Sequence, residues 1–119
     1  MCSLIEFGNG GFVADIKHRY VVNIANAAKD CKNISRIVLF GSATQTRCTE
    51  SSDIDIAVFG RKKQNEYLRS GEFKTFQRKL FSFGNSSQDY DILYFCDGKD
   101  YSDPIIQDIN NGTEIFRRD

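Results

Sequence analysis

The chain has 119 residues, 40% of them apolar and 27% charged, with 16 basic side chains against 16 acidic ones. That composition suits a single soluble globular domain with a core of ordinary size. The balanced charge excludes a protein drawn to duplex nucleic acid or to an anionic membrane by a global field. Cys2, Cys31, Cys48 and Cys96 lack metal-binding spacing, and the single His18 cannot complete a Cys/His cluster, so reduced thiols in a cytosolic protein are expected. Neither a signal-peptide pattern nor a membrane-spanning apolar run is legible.

The elements follow in chain order. Residues 1–11 end in G-N-G-G and read as an N-terminal arm or turn. Val13, Ile16, Tyr20, Ile24, Ala27, Ala28 and Cys31 recur at helical spacing and predict a helix over 11–32, with His18 exposed beside Arg19. Ile37 to Phe40 is a short apolar strand of the kind buried on both faces, and a helical turn follows Ser42. Ile54 to Phe59 is the next strand, stopped by Gly60. The basic run Arg61 to Lys63 reads as a solvated loop and, more sharply, as part of a basic face for a partner or a nucleotide.

Phe73, Phe76, Leu80 and Phe83 line one helical face, which Gly71 separates from a turn around Tyr67 and Leu68. After the turn cluster 84–87, Tyr90 to Cys96 forms a strand. Asp103-Pro104 then opens a helix, with Asp103 as cap and Pro104 at the first position; it ends at Asn111-Gly112. Thr113 to Phe116 is the closing strand. The predicted order is α-β-α-β-α-β-α-β, an α/β fold in which helices cover a small sheet.

The chemistry concentrates between Ile37 and Phe59: I-V-L-F-G-S, ten residues, then D-I-D-I-A-V-F. Side chains alternate along a strand, so Asp53 and Asp55 share a face. Adjacent like charges are unfavourable without a neutralising partner. A divalent cation is the natural one, and oxygen-only ligands suit magnesium. Gly41 lets the backbone approach a phosphate, and Ser42 offers a hydroxyl to it. Metal-binding carboxylates beside a phosphate turn point to group transfer from a nucleoside triphosphate. Arg47 is a weaker candidate for phosphate contact. Alone, each feature has an ordinary explanation: a Gly-Ser turn ends a strand, a D-x-D pair is solvated, and the many aromatic residues pack the core.

Together, Gly41-Ser42, the ten-residue gap and Asp53-x-Asp55 resemble the G-S-x10-D-x-D signature of minimal nucleotidyltransferases in the DNA polymerase beta superfamily. The element order and the ending P-I-I-Q-D-I-N-N-G-T-E-I-F extend the resemblance over nearly the whole chain. It implies the small mixed sheet of a polymerase-beta-like fold, in one minimal domain over 1–119. It also implies two Mg2+ ions held by Asp53, Asp55 and a third carboxylate. Asp91, opening D-I-L-Y-F, matches the third position; Asp89, two residues earlier on the same face, is the alternative.

A free-standing core of this length resembles the small antitoxins paired with HEPN-domain toxins. That likeness implies AMP transfer from ATP to a tyrosine of the toxin. The sequence departs from the family in the loop after Ser42, where Ala43 and Thr46 stand and no glycine precedes Asp53. Two other readings stay open. One is an antitoxin that binds nucleotide or partner without efficient turnover. The other is the catalytic subunit of a transferase whose substrate-binding domain is a separate chain. An exposed edge at 113–116 leaves homo-oligomerisation open as well.

Overall fold

The computed structural model describes residues 2–8, 10–84 and 87–118. Period-two alternation in three consecutive apolar strands decides the architecture, because each strand feeds two different cores at once. Strand β3 (Ile34–Phe40) lies beside β4 (Ile54–Gly60), which lies beside β5 (Tyr90–Cys96). Ile37, Leu39, Ile54, Ile56, Val58 and Tyr94 face one side and join the main core. Val38, Phe40, Ala57 and Phe95 face the other and form a smaller second core.

The main core is closed by α1 (His18–Lys29), α2 (Gln64–Leu68) and α3 (Gly71–Phe81). Tyr20, Ile24, Phe73, Phe76 and Leu80 pack there at the spacing read from the sequence, and Ser70 caps α3 by accepting from the Phe73 N–H at 3.1 Å. Phe83 lies beyond α3 but packs edge-on against Tyr20. The second core is covered by α4 (Ile105–Asn110) through Ile105, Ile106 and Ile109.

The closing strand β6 (Thr113–Arg117) completes a sheet of order β5-β4-β3-β6. The β4–β5 pair is parallel, and β3 is antiparallel to both its neighbours. The sheet is therefore mixed, with β5 and β6 at its edges.

The N-terminal expectations need correction. Residues within 1–11 do not form a free arm: β1 (Leu4–Phe7) pairs antiparallel with β2 (Gly11–Ala14). The helix expected from residue 11 begins only at His18, after a 3-10 turn over Asp15–Lys17. The helical spacing of Val13 and Ile16 is outweighed by pairing, since Val13 lies opposite Ile5. Thr113 fastens the hairpin to β6: its hydroxyl accepts from the Phe12 N–H at 3.0 Å and donates to the Phe12 carbonyl at 2.8 Å. His18, expected to be exposed, is half-buried with its ring 6.0 Å from that of Phe7. Asp103 makes no side-chain cap; Pro104 is the capping residue, and the Asp103 carbonyl accepts from the Ile106 N–H at 3.0 Å. The turn cluster 84–87 lies partly outside the described residues.

Arg118, just beyond β6, ties the sheet to the end of α1: its N–H donates to the Ser35 carbonyl at 2.8 Å and its side chain reaches further. The Arg118 guanidinium donates to the carbonyls of Ala28, Lys29, Cys31 and Ile34 at 2.9, 3.2, 3.1 and 3.0 Å. A cation at the C-terminal end of α1 satisfies orphan carbonyls and complements the helix dipole. Replacing Arg118 by Ala should destabilise the fold by about 2–3 kcal/mol, lowering Tm by roughly 5–12 °C. A thermal scan showing less than about 1 °C of change would assign the contact no net value.

Candidate active site

Three of the four strands of the sheet, β3, β4 and β5, also converge their leading or trailing ends. Strand β3 runs into a 3-10 turn, Gly41–Thr44, where Gly41 takes a φ of 74°. That left-handed conformation suits glycine, and a β-carbon here would overlap the Asp55 carboxylate. The turn is braced from within: Thr44 Oγ1 donates to the Gly41 carbonyl at 2.8 Å and the Gln45 N–H to the Ser42 carbonyl at 2.9 Å. Ala43 is fully buried in the main core, which anchors the turn from below.

Strand register brings the carboxylates together. Asp55 pairs with Phe40 on β3 and with Asp91 on β5. Alternation puts Asp53, Asp55 and Asp91 on the face that carries Ala57, Leu93 and Phe95, the face covered by α4. Adjacent strands lie about 4.8 Å apart, so Asp55 and Asp91 are near neighbours across the ladder. Asp91, rather than Asp89, lies directly opposite Asp55; Asp89 precedes the strand and its carbonyl accepts from the Ile54 N–H at 3.0 Å. Burial pushes the pKa of Asp55 up from its ordinary value, and the like charges of Asp91 and Asp53 push it further, while Arg47 acts the other way.

A cleft of about 370 Å³ opens at this point, lined on one side by Gly41, Thr44, Gln45 and Arg47 and on the other by Asp108, Asn111 and Gly112, with Asp55 between them. Of the predicted site residues, Gly41 and Asp55 line the cleft, and so does Arg47. Ser42 is half-buried in the turn, while Asp53 and Asp91 are exposed beside it. Arg47 Nε donates to Gln45 Oε1, which holds the guanidinium over this wall.

Asp108 and Asn111 were not legible as site residues. The sequence marks them only as the polar face of a short helix; docking of α4 across the second core turns that face toward Asp55.

Among the described residues, no group of three or more His, Cys, Asp or Glu side chains is gathered in an arrangement that could hold a metal ion. The donor chemistry nevertheless fits a hard divalent cation: carboxylate oxygens from two adjacent strands, whose like charges already disfavour ionisation of Asp55. No described helix is long and apolar enough to cross a membrane.

Comparison with known proteins shows the family. No curated protein matches the chain. Among solved structures, a proposed nucleotidyltransferase from Sulfolobus solfataricus is similar, with a TM-score of 0.48 and 15% identity over 87% of this chain and 86% of that one. The profile of a family described as polymerase beta, nucleotidyltransferase matches residues 22–119 and so spans every candidate residue above. The chain belongs to the polymerase beta nucleotidyltransferase family.

Proposed function

We propose that this protein transfers AMP from ATP to a hydroxyl acceptor, with Asp53, Asp55 and Asp91 as the ligands of Mg2+. The observation that carries the reading is the register of Asp55 beside Asp91, with Asp55 lining a cleft whose wall is the Gly41 turn. Bound Mg2+ supplies Lewis-acid polarisation of phosphate oxygens and lowers the pKa of a coordinated hydroxyl.

The residues divide the remaining work. Gly41 presents bare backbone where the triphosphate approaches, and Ser42 offers its hydroxyl to the β- or γ-phosphate. Arg47, on the same wall, offers positive charge to the triphosphate and, later, to the departing pyrophosphate. The acceptor oxygen bonds to the α-phosphorus as the bond to the pyrophosphate oxygen breaks, and the hydroxyl proton passes to solvent. Asp91 is exposed on the edge strand β5, so the acceptor side is open to a bulky molecule. That openness favours a macromolecular acceptor. The family resemblance suggests a tyrosine of a HEPN-domain toxin, with this chain as antitoxin.

A second reading, nucleotide or partner binding without turnover, draws on the loop 43–52, which carries no glycine before Asp53. Incubating wild type and Asp53→Asn with α-labelled ATP, Mg2+ and a lysate of the source cells separates the two. A labelled protein band seen only with wild type is the expected result, and mass analysis identifies the acceptor. Label appearing only on RNA or a small molecule would move the acceptor to a different class. Equal labelling by Asp53→Asn would remove the carboxylate mechanism.

A further inference from the structure

Lys17 is only 1% exposed, although it is a lysine in the turn before α1. Burying an ammonium costs several kcal/mol unless its donors are matched, so its partners are informative. Lys17 Nζ donates to Gln88 Oε1 at 2.6 Å and to the Glu50 carbonyl at 3.0 Å. Gln88 is itself buried, and its Nε2 donates to the carbonyls of Ser52 at 3.1 Å and Asp89 at 2.7 Å. Every one of these acceptors lies within a few residues of a candidate metal ligand. Ser52 directly precedes Asp53 and Glu50 lies three residues before it, while Asp89 and Gln88 lie two and three residues before Asp91.

We propose that Lys17 and Gln88 form a buried clamp that sets the spacing between the leading ends of β4 and β5, and thereby between Asp53, Asp55 and Asp91. They act as positioning residues for the proposed transfer. The inference rests on reading those aspartates as the metal site.

Two features support a role beyond packing. First, the parallel β4–β5 pair has no tight turn to fix its register; residues 61–89 intervene, so the alignment of Asp55 with Asp91 needs a local tie. The Ile54 N–H bond to the Asp89 carbonyl supplies one strand of that tie, and Gln88 bridges the same two segments by side chain. Second, the clamp is ionic on its helical side only. An apolar residue at position 17 would satisfy the core but leave the Gln88 and Glu50 oxygens unmatched. Burial lowers the pKa of Lys17, while Cys48, Asp53 and Glu50 favour its charged form, so the ammonium belongs to the electrostatic surroundings of the carboxylates. Partners that orient ligands in this way typically change metal affinity or activity by 10–100-fold when removed.

The test compares wild type with Lys17→Met, Lys17→Arg and Gln88→Met, each checked for native circular dichroism. Mn2+ binding to the metal-free chain is read by electron paramagnetic resonance, and transfer kinetics are measured alongside. The expected result is Mn2+ affinity and kcat both reduced by about 10–100-fold in the two Met variants. The KM for ATP should change little, and Lys17→Arg should recover part of the loss. A merely structural role would lower Tm without moving Mn2+ affinity. Folded Met variants with wild-type Mn2+ affinity and kcat would overturn the clamp. Gln88→Met decides by itself where Lys17→Met does not fold, since it keeps the buried cation in place. A wild-type chain that neither binds Mn2+ nor transfers would instead overturn the metal-site reading, and the clamp with it.

Discussion

Asp55→Asn should lower nucleotidyl transfer by about 1,000-fold or more while leaving the metal-free protein more stable than wild type. The loss follows from removing a charge expected to stabilise the transition state by several kcal/mol, at a factor of ten per 1.36 kcal/mol. The gain follows from relief of an existing conflict. Burial, Asp91 and Asp53 all raise the pKa of Asp55 above its ordinary 3.8, so the fold disfavours the ionised form.

The sign of the pH dependence is then set. Because the folded state binds the Asp55 proton more tightly than the unfolded chain does, its contribution to stability is fully present below 3.8 and is lost as pH rises through the folded value. The stability advantage of Asp55→Asn should therefore be absent at low pH and complete at neutral pH. Mg2+ should reverse the ranking at neutral pH by binding the ionised wild-type site, a linkage effect proportional to RT ln(1 + [L]/Kd). Urea titrations of both proteins at several pH values, with and without Mg2+, read all three outcomes. An Asp55→Asn protein that is destabilised at neutral pH without metal would show that the carboxylate is held by favourable contacts rather than by a compromise made for function.

Gly41→Ala should be nearly as damaging, for a steric reason. A residue with a β-carbon at φ 74° is strained by about 1–2 kcal/mol. That β-carbon would also meet Asp55 Oδ2, so the carboxylate must leave its place. We expect transfer to fall by about 100-fold, as expected when a reacting group is displaced by about 1 Å, with a modest loss of stability. Gly71→Ala is the matched control. No atom lies within 4 Å of the β-carbon it would add, and it opens α3. There the change should be neutral or stabilising by up to about 1 kcal/mol. In an Asp55→Ala background the stability penalty of Gly41→Ala should shrink to the backbone strain alone, because the colliding group is gone. Strict additivity of the two substitutions would deny the contact.

Much of the candidate site was legible because it is local. Gly41, Asp53 and Asp55 sit within one strand-turn-strand segment, where period-two alternation assigns faces without knowledge of the fold. The strand segments Ile37 to Phe40, Ile54 to Phe59 and Tyr90 to Cys96 were readable because each is rich in apolar residues that feed the cores on the two faces of the sheet; β3 begins three residues earlier than read, at Ile34, where Ser35 and Arg36 interrupt the apolar run. The N-terminus misled because Val13 and Ile16, in a strand and a 3-10 turn, extend the helical period of α1 by coincidence. A hairpin is decided by its partner, here Ile5 for Val13 and Thr113 for Phe12.

The sequence alone therefore determined the family, the main strands and the residues proposed to bind a triphosphate and a divalent cation, since these depend on spacing along the chain. Tertiary structure decided which carboxylates become neighbours. It chose Asp91 as the residue opposite Asp55, brought Asp108 and Asn111 to the cleft, and buried Lys17 beneath the loop that carries Asp53. Those placements depend on strand register and helix docking between segments far apart in the chain. They are set by the burial of two cores at once, a free-energy balance that no local pattern encodes.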